Sequence, residues 1–457
     1  MIKTSAIFLF LNYCLGKKVD MSMVVAKIDW RQLYNFASRQ ALLGFCFDGI
    51  ERLTKEFSEE LKQNPMGRDL LMTWMGKAQQ IRRQNMKVNA VAGKLYSKFR
   101  EDGSRCCILK GQGNALMYPN PYSRTPGDID VWVNASREDI TEYAKRHFNL
   151  EDDIRFHHLE TTMDGVPVEL HFFPGIMNNP IYHARLQKWF RRNADLQCSH
   201  IVGLPDGAGD IAIPTTAFNV IYQLTHLYHH FFDEGIGMRQ IIDYFLVVND
   251  FSKNVFLNNK SSKITPSLFT LKEGSTSHPD PLTLRGEGGK RPTRCSEPLR
   301  SKDGGASKPS PDCAGWDRRD AIGDIASDAS VSSAFTTDSS ASTALDVVQR
   351  ELKYLGLWKF AGAVMYVLHE ALGLSEEKMI APMDEKRGKL LLAEILEGGN
   401  FGRHFTKYGH FTQQGMAKKY FLKIWRNMHF VRYYPAEALS EPIFRTWHFF
   451  WRMKNKK

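Results

Sequence analysis

Between Cys106 and Val133 the chain reads CCILKGQGNALMYPNPYSRTPGDIDVWV. The two ends of this segment, Cys106–Leu109 and Ile129–Val133, are short apolar runs, and the part between them is rich in glycine and proline. Apolar and polar residues alternate in the second run and again over residues 166–170, as they do in half-buried strands. We predict three strands with a helix over residues 137–148, and therefore an α+β fold with a small mixed sheet and helices on one side of it.

The carboxylates of these runs are predicted to share one face of the sheet. Side chains alternate along a strand, so Asp128 and Asp130 project to the same side. On the third strand Glu169 and His171 share a face, and Glu169 joins the aspartates if the two strands are neighbours. Carboxylates about 6–7 Å apart on a rigid strand suit a hard divalent cation such as magnesium. The three acids match the acidic triad of two-metal phosphoryl or nucleotidyl transfer.

His171 has a different predicted role from its neighbour Glu169. We expect its imidazole to position substrate or a metal ligand rather than to bind the metal, with a merely surface-facing side chain as the alternative.

Residues between the first two strands are candidates for phosphate binding. Gly111 and Gly113 leave the first strand and open a predicted helix from Asn114, and a glycine-rich turn at a helix N-terminus presents free N–H groups to phosphate. Lys110 and Arg124 flank this turn and can neutralise phosphate charge. For both cations, a structural ion pair is the alternative. The turn is not a Walker loop, because it lacks Gly-Lys-Ser/Thr.

A histidine cluster follows in the helical part of the chain. His226 and His230 are four residues apart, a spacing that suits zinc on one helix face. His-Glu-x-x-His is missing, however, and no third ligand is fixed by spacing. We therefore prefer a polar helix face that lines the cleft, with Arg239 and Asp243 as its partners.

The net charge of +11 is concentrated at the carboxyl end. From Arg403 onward the chain has twelve Lys and Arg residues and two acidic residues, which leaves +10 in this tail. A globally basic nucleic-acid-binding surface is therefore not implied. We expect packed helices with a solvated cationic side, and a weak contact with a membrane or another anionic surface is the alternative.

Composition narrows the class of protein. The 457 residues are 43% hydrophobic and 24% charged, which is typical of globular chains and excludes a chain disordered throughout. No apolar run is long enough for a spanning helix, which excludes a polytopic membrane protein. Seven cysteines without a Cys-x-x-Cys pair match neither a disulfide framework nor a zinc site. We expect reduced cysteines and a cytoplasmic location.

The helical pattern and the composition divide the chain into six predicted segments. They are an N-terminal extension (1–26), a helical region (27–102), the α+β core (103–214), a helical wall of the cleft (215–257), a low-complexity insertion (258–343) and a basic helical region (344–457). For the extension we prefer a frayed or wrongly assigned start over an export signal, since no cleavage-site pattern follows its apolar residues. The insertion lacks periodicity, so we predict that it is disordered.

The order of these motifs resembles a bacterial family of nucleotidyltransferases with the DNA polymerase β-like fold. The resemblance rests on Lys110-Gly111, Tyr118-Pro119, Arg124, Gly127-Asp128-Ile129-Asp130 and Glu169-Leu170-His171. Further landmarks are Asp29-Trp30, His226, Gly237-Met238-Arg239-Gln240 and Gly398-Gly399-Asn400-Phe401-Gly402. The insertion departs from the family. A Gly-Ser pair of the broader superfamily is also missing, and Lys110-Gly111-Gln112 stands in its place.

The resemblance implies transfer of a nucleoside monophosphate from a nucleoside triphosphate to an acceptor, with release of pyrophosphate. It implies two magnesium ions, with manganese as the alternative, held by the catalytic residues Asp128, Asp130 and Glu169. The residues expected to bind the nucleotide are Lys110, Gly111, Gly113, Arg124, His171, His226 and Arg239. The acceptor is left open among a small molecule, a sugar phosphate and a protein, and no sequence-specific nucleic acid is expected.

Two other functions remain as alternatives. A catalytically degenerate protein that binds a nucleotide or a sugar phosphate as a scaffold is favoured by the missing Gly-Ser pair. A metal-dependent hydrolase is favoured by the histidine cluster.

Overall fold

The computed structural model describes residues 4–150, 155–260, 343–405 and 416–455. The chain divides into two compact units, residues 1–269 with 343–457 and residues 270–342. The second unit lies outside the described residues, and so does the predicted disordered insertion except at its two ends. The fold below is that of the first unit.

The amino-terminal part is helical, as predicted. Its helices are α1 (Thr4–Cys14), α2 (Ser22–Val25), α3 (Trp30–Arg39), α4 (Leu43–Glu56), α5 (Ser58–Gln63) and α6 (Arg68–Glu101). Asp29 begins α3 because its side chain accepts hydrogen bonds from the amides of Arg31 and Gln32. In α1, Phe10 and Leu11 are buried in the main core. These two side chains therefore pack α1 on the rest of the unit.

A four-stranded sheet forms the centre of the molecule. Its elements are β1 (Cys106–Leu109), α7 (Gly111–Ala115), β2 (Ile129–Val133), α8 (Arg137–His147), β3 (His158–Met163) and β4 (Val166–His171). The strand order is β1-β2-β4-β3, and β2 and β4 are parallel while the outer pairs are antiparallel. The predicted α+β class and the mixed sheet are confirmed.

The two faces of the sheet have different partners. Ile129, Val131 and Val133 alternate onto the face that shares a buried cluster with α6 and α8. The opposite face carries Asp130 and, beside it, Trp132, whose ring stacks on Phe218 of the next helical layer with centroids 5.9 Å apart. Since aromatic packing covers only the Trp132 end of that face, the acidic end is left for a cleft.

Helices and one hairpin build the rest of the unit. They are α9 (Pro180–Ser199), β5 (Ile201–Gly203), β6 (Asp210–Ala212), α10 (Thr216–Asp233), α11 (Met238–Lys260), α12 (Ala344–Tyr354), α13 (Trp358–Leu372), α14 (Glu385–Gly398), α15 (Met416–Met428) and α16 (Pro435–Asn455). None of the helices in the described part of the chain is both long and apolar enough to cross a membrane. The cysteines at 14, 46, 106, 107 and 198 are buried without disulfides, as expected.

Two cations of the basic tail pack against the rest of the unit instead of facing solvent. Lys423 of α15 lies 2.9 Å from Asp233 of α10, and Arg426 is buried, whereas Phe421 and Trp425 are exposed. The expected solvated cationic side is therefore wrong for Lys423, which pairs with the partly buried Asp233, and for Arg426, which lies 3.6 Å from Glu394. It is present at Arg432 and Arg452, which are exposed. The alternative contact with a membrane or anionic surface stays a prediction.

Candidate active site

The register of the sheet brings the predicted acidic residues together. Parallel pairing of β2 with β4 sets Asp130 opposite Glu169, and antiparallel pairing of β4 with β3 sets Glu169 opposite Glu160. The same β3–β4 pairing sets His158 opposite His171. Residues opposite one another share a face of the sheet. The predicted neighbourhood of Asp130 and Glu169 is therefore present, and Glu160 extends it.

His171 connects the two carboxylates. Its Nε2 lies 3.0 Å from Oδ1 of Asp130 and 3.2 Å from Oε2 of Glu169, and its side chain is 4% exposed. Burial alone would lower the pKa of His171, but its hydrogen bonds to Asp130 and Glu169 raise it to about 9. The imidazole therefore orients these carboxylates.

Lys110 forms an ion pair with the same aspartate. Its Nζ lies 3.1 Å from Oδ1 of Asp130 and 3.2 Å from Nε2 of His226. Its backbone has a φ of 50°, a conformation that non-glycine residues rarely adopt and that is often found at functional sites. Burial alone would raise the pKa of Asp130, but Lys110 and His171 hold it well below its ordinary value. Asp130 is therefore ionised, with Lys110 as its counter-ion.

Asp128 has the opposite electrostatic character. It directly precedes β2, and its side chain is exposed at the floor of the cleft. Desolvation by the surrounding protein is the main cause that raises the pKa of Asp128 to about 6, and the negative charges of Asp130 and Glu169 add to it. The repulsion among these carboxylates marks a place where a cation would be stabilised.

A cavity of about 520 Å³ opens over these side chains and extends to α10 and α11. Gly111 lines it, but Gly113 does not, because Gly113 packs against Ile213, where an added Cβ would lie 3.0 Å from Cγ2. The helix that follows β1 begins at Gly111 itself rather than at Asn114. The structure thus brings one of the two predicted phosphate-binding glycines to the cleft.

The two arginines predicted to bind nucleotide differ in their partners. Nε and Nη2 of Arg124 each donate to Asp243 at 2.9 Å, and Tyr118 donates to the same carboxylate at 2.7 Å. Arg239 also lines the cavity, but its guanidinium makes no hydrogen bond or ion pair with the described residues, and its Nε is buried. Arg124 therefore takes the structural alternative, and of these two arginines Arg239 is the one available to an anion.

Glycine landmarks of the sequence explain where Arg239 lies. An added Cβ at Gly237 would stand 2.7 Å from Cα of Asn400, so the start of α11 packs directly on the turn after α14. This contact sets the Phe401 ring 5.7 Å from the Arg239 guanidinium and 5.3 Å from the His230 ring. Phe401 lines the cavity, a role that its sequence position did not indicate.

The α10 histidines line the cavity as a wall, but Arg239 and Asp243 are not their hydrogen-bond partners as expected, because Arg124 and Tyr118 hold Asp243. His230 Nδ1 lies 2.9 Å from Glu234, and His226 faces Lys110. Among the described residues, the groups close enough to share a metal ion come from β2, β3 and β4 and their immediate neighbours rather than from α10. Glu160 belongs to one of these groups and was missed in the sequence, although its alternation with His158 repeats that of Asp128 with Asp130.

Comparison with known proteins gives one result. The model of a family described as an uncharacterised nucleotidyltransferase matches residues 26–265, more than half of the 457 residues. No curated protein and no solved structure matches the chain. The matched range contains α3 to α6, the four-stranded sheet and the α10–α11 wall, so it includes the acidic cleft.

Proposed function

The chain belongs to this uncharacterised nucleotidyltransferase family, and on that premise we propose that it transfers a nucleoside monophosphate from a nucleoside triphosphate to an acceptor in a metal-dependent reaction. The observation that carries the proposal is the register pairing of Asp130 with Glu169 on one face of the sheet, in a cavity that Asp128 also lines. A nucleoside triphosphate is the donor that the family implies.

The donor set fits magnesium, with manganese as the alternative. Asp128, Asp130 and Glu169 offer the hard oxygen ligands that magnesium prefers. One ligand atom each of Asp130, Glu169 and His171 lies within 4.8 Å of the others. We assign two ions to the three carboxylates. Bound there, magnesium would neutralise phosphate oxygens and favour loss of the acceptor's hydroxyl proton.

Arg239 supplies the triphosphate contact that the missing Gly-Ser pair would otherwise make. Its guanidinium makes no hydrogen bond or ion pair with the described residues, and a guanidinium binds phosphate through two parallel hydrogen bonds. Lys110 and Arg124 are held by Asp130 and Asp243, so their charges are already compensated. Gly111 and His226 line the same cavity, and they complete the nucleotide contacts of the proposal.

The chemical step needs the acceptor oxygen in line with the leaving pyrophosphate. A bond from this oxygen to the α-phosphorus forms as the bond from phosphorus to the bridging oxygen breaks. Burial alone would raise the pKa of Glu169, but hydrogen bonding to His171 lowers it below its ordinary value. Such a carboxylate accepts a proton poorly, so we assign Glu169 to metal binding and the hydroxyl proton to a substrate oxygen.

The competing function is a scaffold that binds a nucleotide or a sugar phosphate without catalysis, and the loop Lys110-Gly111-Gln112 without a hydroxyl group supports it. Isothermal titration of each nucleotide with and without magnesium separates the two when pyrophosphate release is measured on the same samples. Binding without release would favour the scaffold.

The test of the proposal is a screen of four α-labelled nucleoside triphosphates with the purified chain and a cell extract that supplies acceptors. We expect a labelled product that requires magnesium, disappears with EDTA and is not formed by Asp128→Asn. Formation of the same product by the Asp128→Asn, Asp130→Asn double variant would remove the carboxylates from the reaction and end the proposal.

A further inference from the structure

Three histidines from the β3–β4 hairpin lie together in the cavity. His157 stands in the bend before β3, His158 begins β3 and His171 ends β4. Their ring centroids are 4.3 Å (157 to 158), 5.6 Å (157 to 171) and 5.1 Å (158 to 171) apart. Imidazoles bound at about 2.1 Å to one tetrahedral ion have centroids roughly 5 Å apart. The observed separations therefore suit three imidazoles around a single ion.

The hydrogen bonds of two of these rings leave a nitrogen unused. His158 Nε2 lies 3.2 Å from Glu160, His171 Nε2 lies 3.0 Å from Asp130, and both side chains are at least nine-tenths buried. The Nδ1 atoms of both rings are buried without a hydrogen bond. Histidines that bind metals commonly donate their other N–H to a carboxylate, which fixes the ring and directs the lone pair to the ion.

A carboxylate stands beside one of these two nitrogens. Oε2 of Glu169 lies 3.2 Å from Nδ1 of His158, yet the two atoms do not form a hydrogen bond. Two ligands of one tetrahedral ion lie about 3.4 Å apart. Since one ligand atom from each of the three histidines also lies within 4.8 Å of the others, the donors form a compact set.

We propose that His157, His158 and His171 form a binding site for a divalent transition ion of the zinc class, with Glu169 as the neighbouring oxygen donor. The site is distinct from the proposed magnesium positions because its ligands are imidazole nitrogens, which favour zinc-class ions over magnesium. Glu169 has two carboxylate oxygens and borders both the histidine site and the proposed magnesium positions. Binding of this ion needs neither nucleotide nor acceptor, so the inference and the proposed nucleotidyl transfer can fail separately.

The test uses the full metal-free chain and cobalt(II) as the probe, without magnesium or nucleotide. We expect one equivalent of cobalt to bind, with the visible absorption of a four-coordinate ion with nitrogen ligands, and excess zinc to displace it. His157→Ala should weaken binding by at least about tenfold. His157 is half-buried and makes no side-chain hydrogen bond with the described residues, so the variant should fold. Circular dichroism checks this, and His157→Gln replaces it if folding fails.

Two control variants decide where the ion lies. His230→Ala alters the α10 cluster, and Asp128→Asn alters the carboxylate site, so both should keep the cobalt spectrum and affinity. Loss of binding in either variant would place the ion elsewhere and overturn the inference. Equal affinity of the unaltered chain and His157→Ala, or no cobalt binding at all, would overturn it as well.

Discussion

Arg124 and Asp243 form a bidentate ion pair in the interior, with both donor–acceptor distances at 2.9 Å. The pair connects the loop before β2 to α11, which are 119 residues apart in sequence. On the other side of the loop, Asn85 of α6 donates to the carbonyl oxygens of Tyr122 and Arg124. The segment that leads into Asp128 is therefore held from two sides.

Removing one member of this pair should destabilise the fold. Arg124→Met leaves Asp243 buried with Tyr118 as a neutral donor, and loss of one partner of a buried ion pair typically costs about 3–5 kcal/mol. The free energy of unfolding in urea measures the loss. Arg124→Met with Asp243→Asn should recover much of it, because no uncompensated charge remains. A loss below about 1 kcal/mol for the single variant would contradict the structural role of the pair.

Substitution of Asp128 and of Asp130 by Asn should affect the stability of the fold differently but turnover equally. Asp130→Asn weakens charged hydrogen bonds to Lys110 and His171, so the metal-free chain should lose about 1.5–3 kcal/mol of unfolding free energy. Asp128→Asn removes a carboxylate that its acidic neighbours already disfavour, so stability should change by less than about 0.5 kcal/mol. Both variants should abolish pyrophosphate release.

Urea unfolding and pyrophosphate release are measured on the same preparations of these two variants. Normal pyrophosphate release by Asp130→Asn would contradict the proposed reaction. Equal loss of stability in both variants would contradict the electrostatic difference between the two carboxylates.

Local patterns were sufficient for the elements that carry the acidic residues. Cys106–Leu109 and Ile129–Val133 are strands with the predicted bounds, because each apolar run ends where glycine or a polar residue begins. The alternation of Glu169 with Leu170 predicted the face of the sheet on which Glu169 lies. Because β4 is the direct neighbour of β2, Glu169 then lies opposite Asp130. β3 was not among the three predicted strands, because Thr161 stands at one of its buried positions and hides the alternation. Its pairing with β4 defines it instead.

The partners of charged side chains could not be predicted from local patterns. Arg124 and Lys110 were each compatible with phosphate or with an ion pair, and only the fold shows that Asp243 and Asp130 hold them. The same applies to Lys423, whose partner Asp233 lies on a helix far away in sequence. These contacts depend on tertiary packing, and the two partners have no fixed spacing along the sequence that would identify them.

Gly237→Ala should weaken nucleotide binding together with stability. An added Cβ meets backbone atoms of Asn400, so the turn that carries Phe401 must move away from Arg239. Overpacking of this kind typically costs about 1–3 kcal/mol. The measurements are thermal unfolding and isothermal titration with the nucleotide that the screen identifies.

Gly76→Ala is the control, because nothing lies within 4 Å of its added Cβ in α6, and it should raise stability by about 0.5–1 kcal/mol. Unchanged nucleotide affinity in Gly237→Ala would contradict the proposed role of this contact.

Glu437 should make stability depend on pH. It is fully buried in the first turn of α16 and accepts hydrogen bonds from the amides of Asn178 and Asn179 at 2.7 and 3.3 Å. Burial raises its pKa from 4.5 to about 7. The folded state therefore holds this proton more tightly than the unfolded chain does. Its stabilising contribution is complete below the unfolded pKa of 4.5 and is lost as the pH rises through about 7.

The matching measurement compares urea unfolding at pH 5 and pH 8 for the unaltered chain and for Glu437→Gln, which keeps a neutral side chain at both values. One pKa unit corresponds to about 1.4 kcal/mol. Between these pH values the free energy of unfolding should therefore fall by up to about 3 kcal/mol more in the unaltered chain than in the variant. The control Glu101→Gln replaces an exposed carboxylate at the end of α6 and should behave like the unaltered chain. An equal loss in Glu437→Gln and the unaltered chain would show that Glu437 is already ionised at pH 5, and that the amides of Asn178 and Asn179 offset its burial.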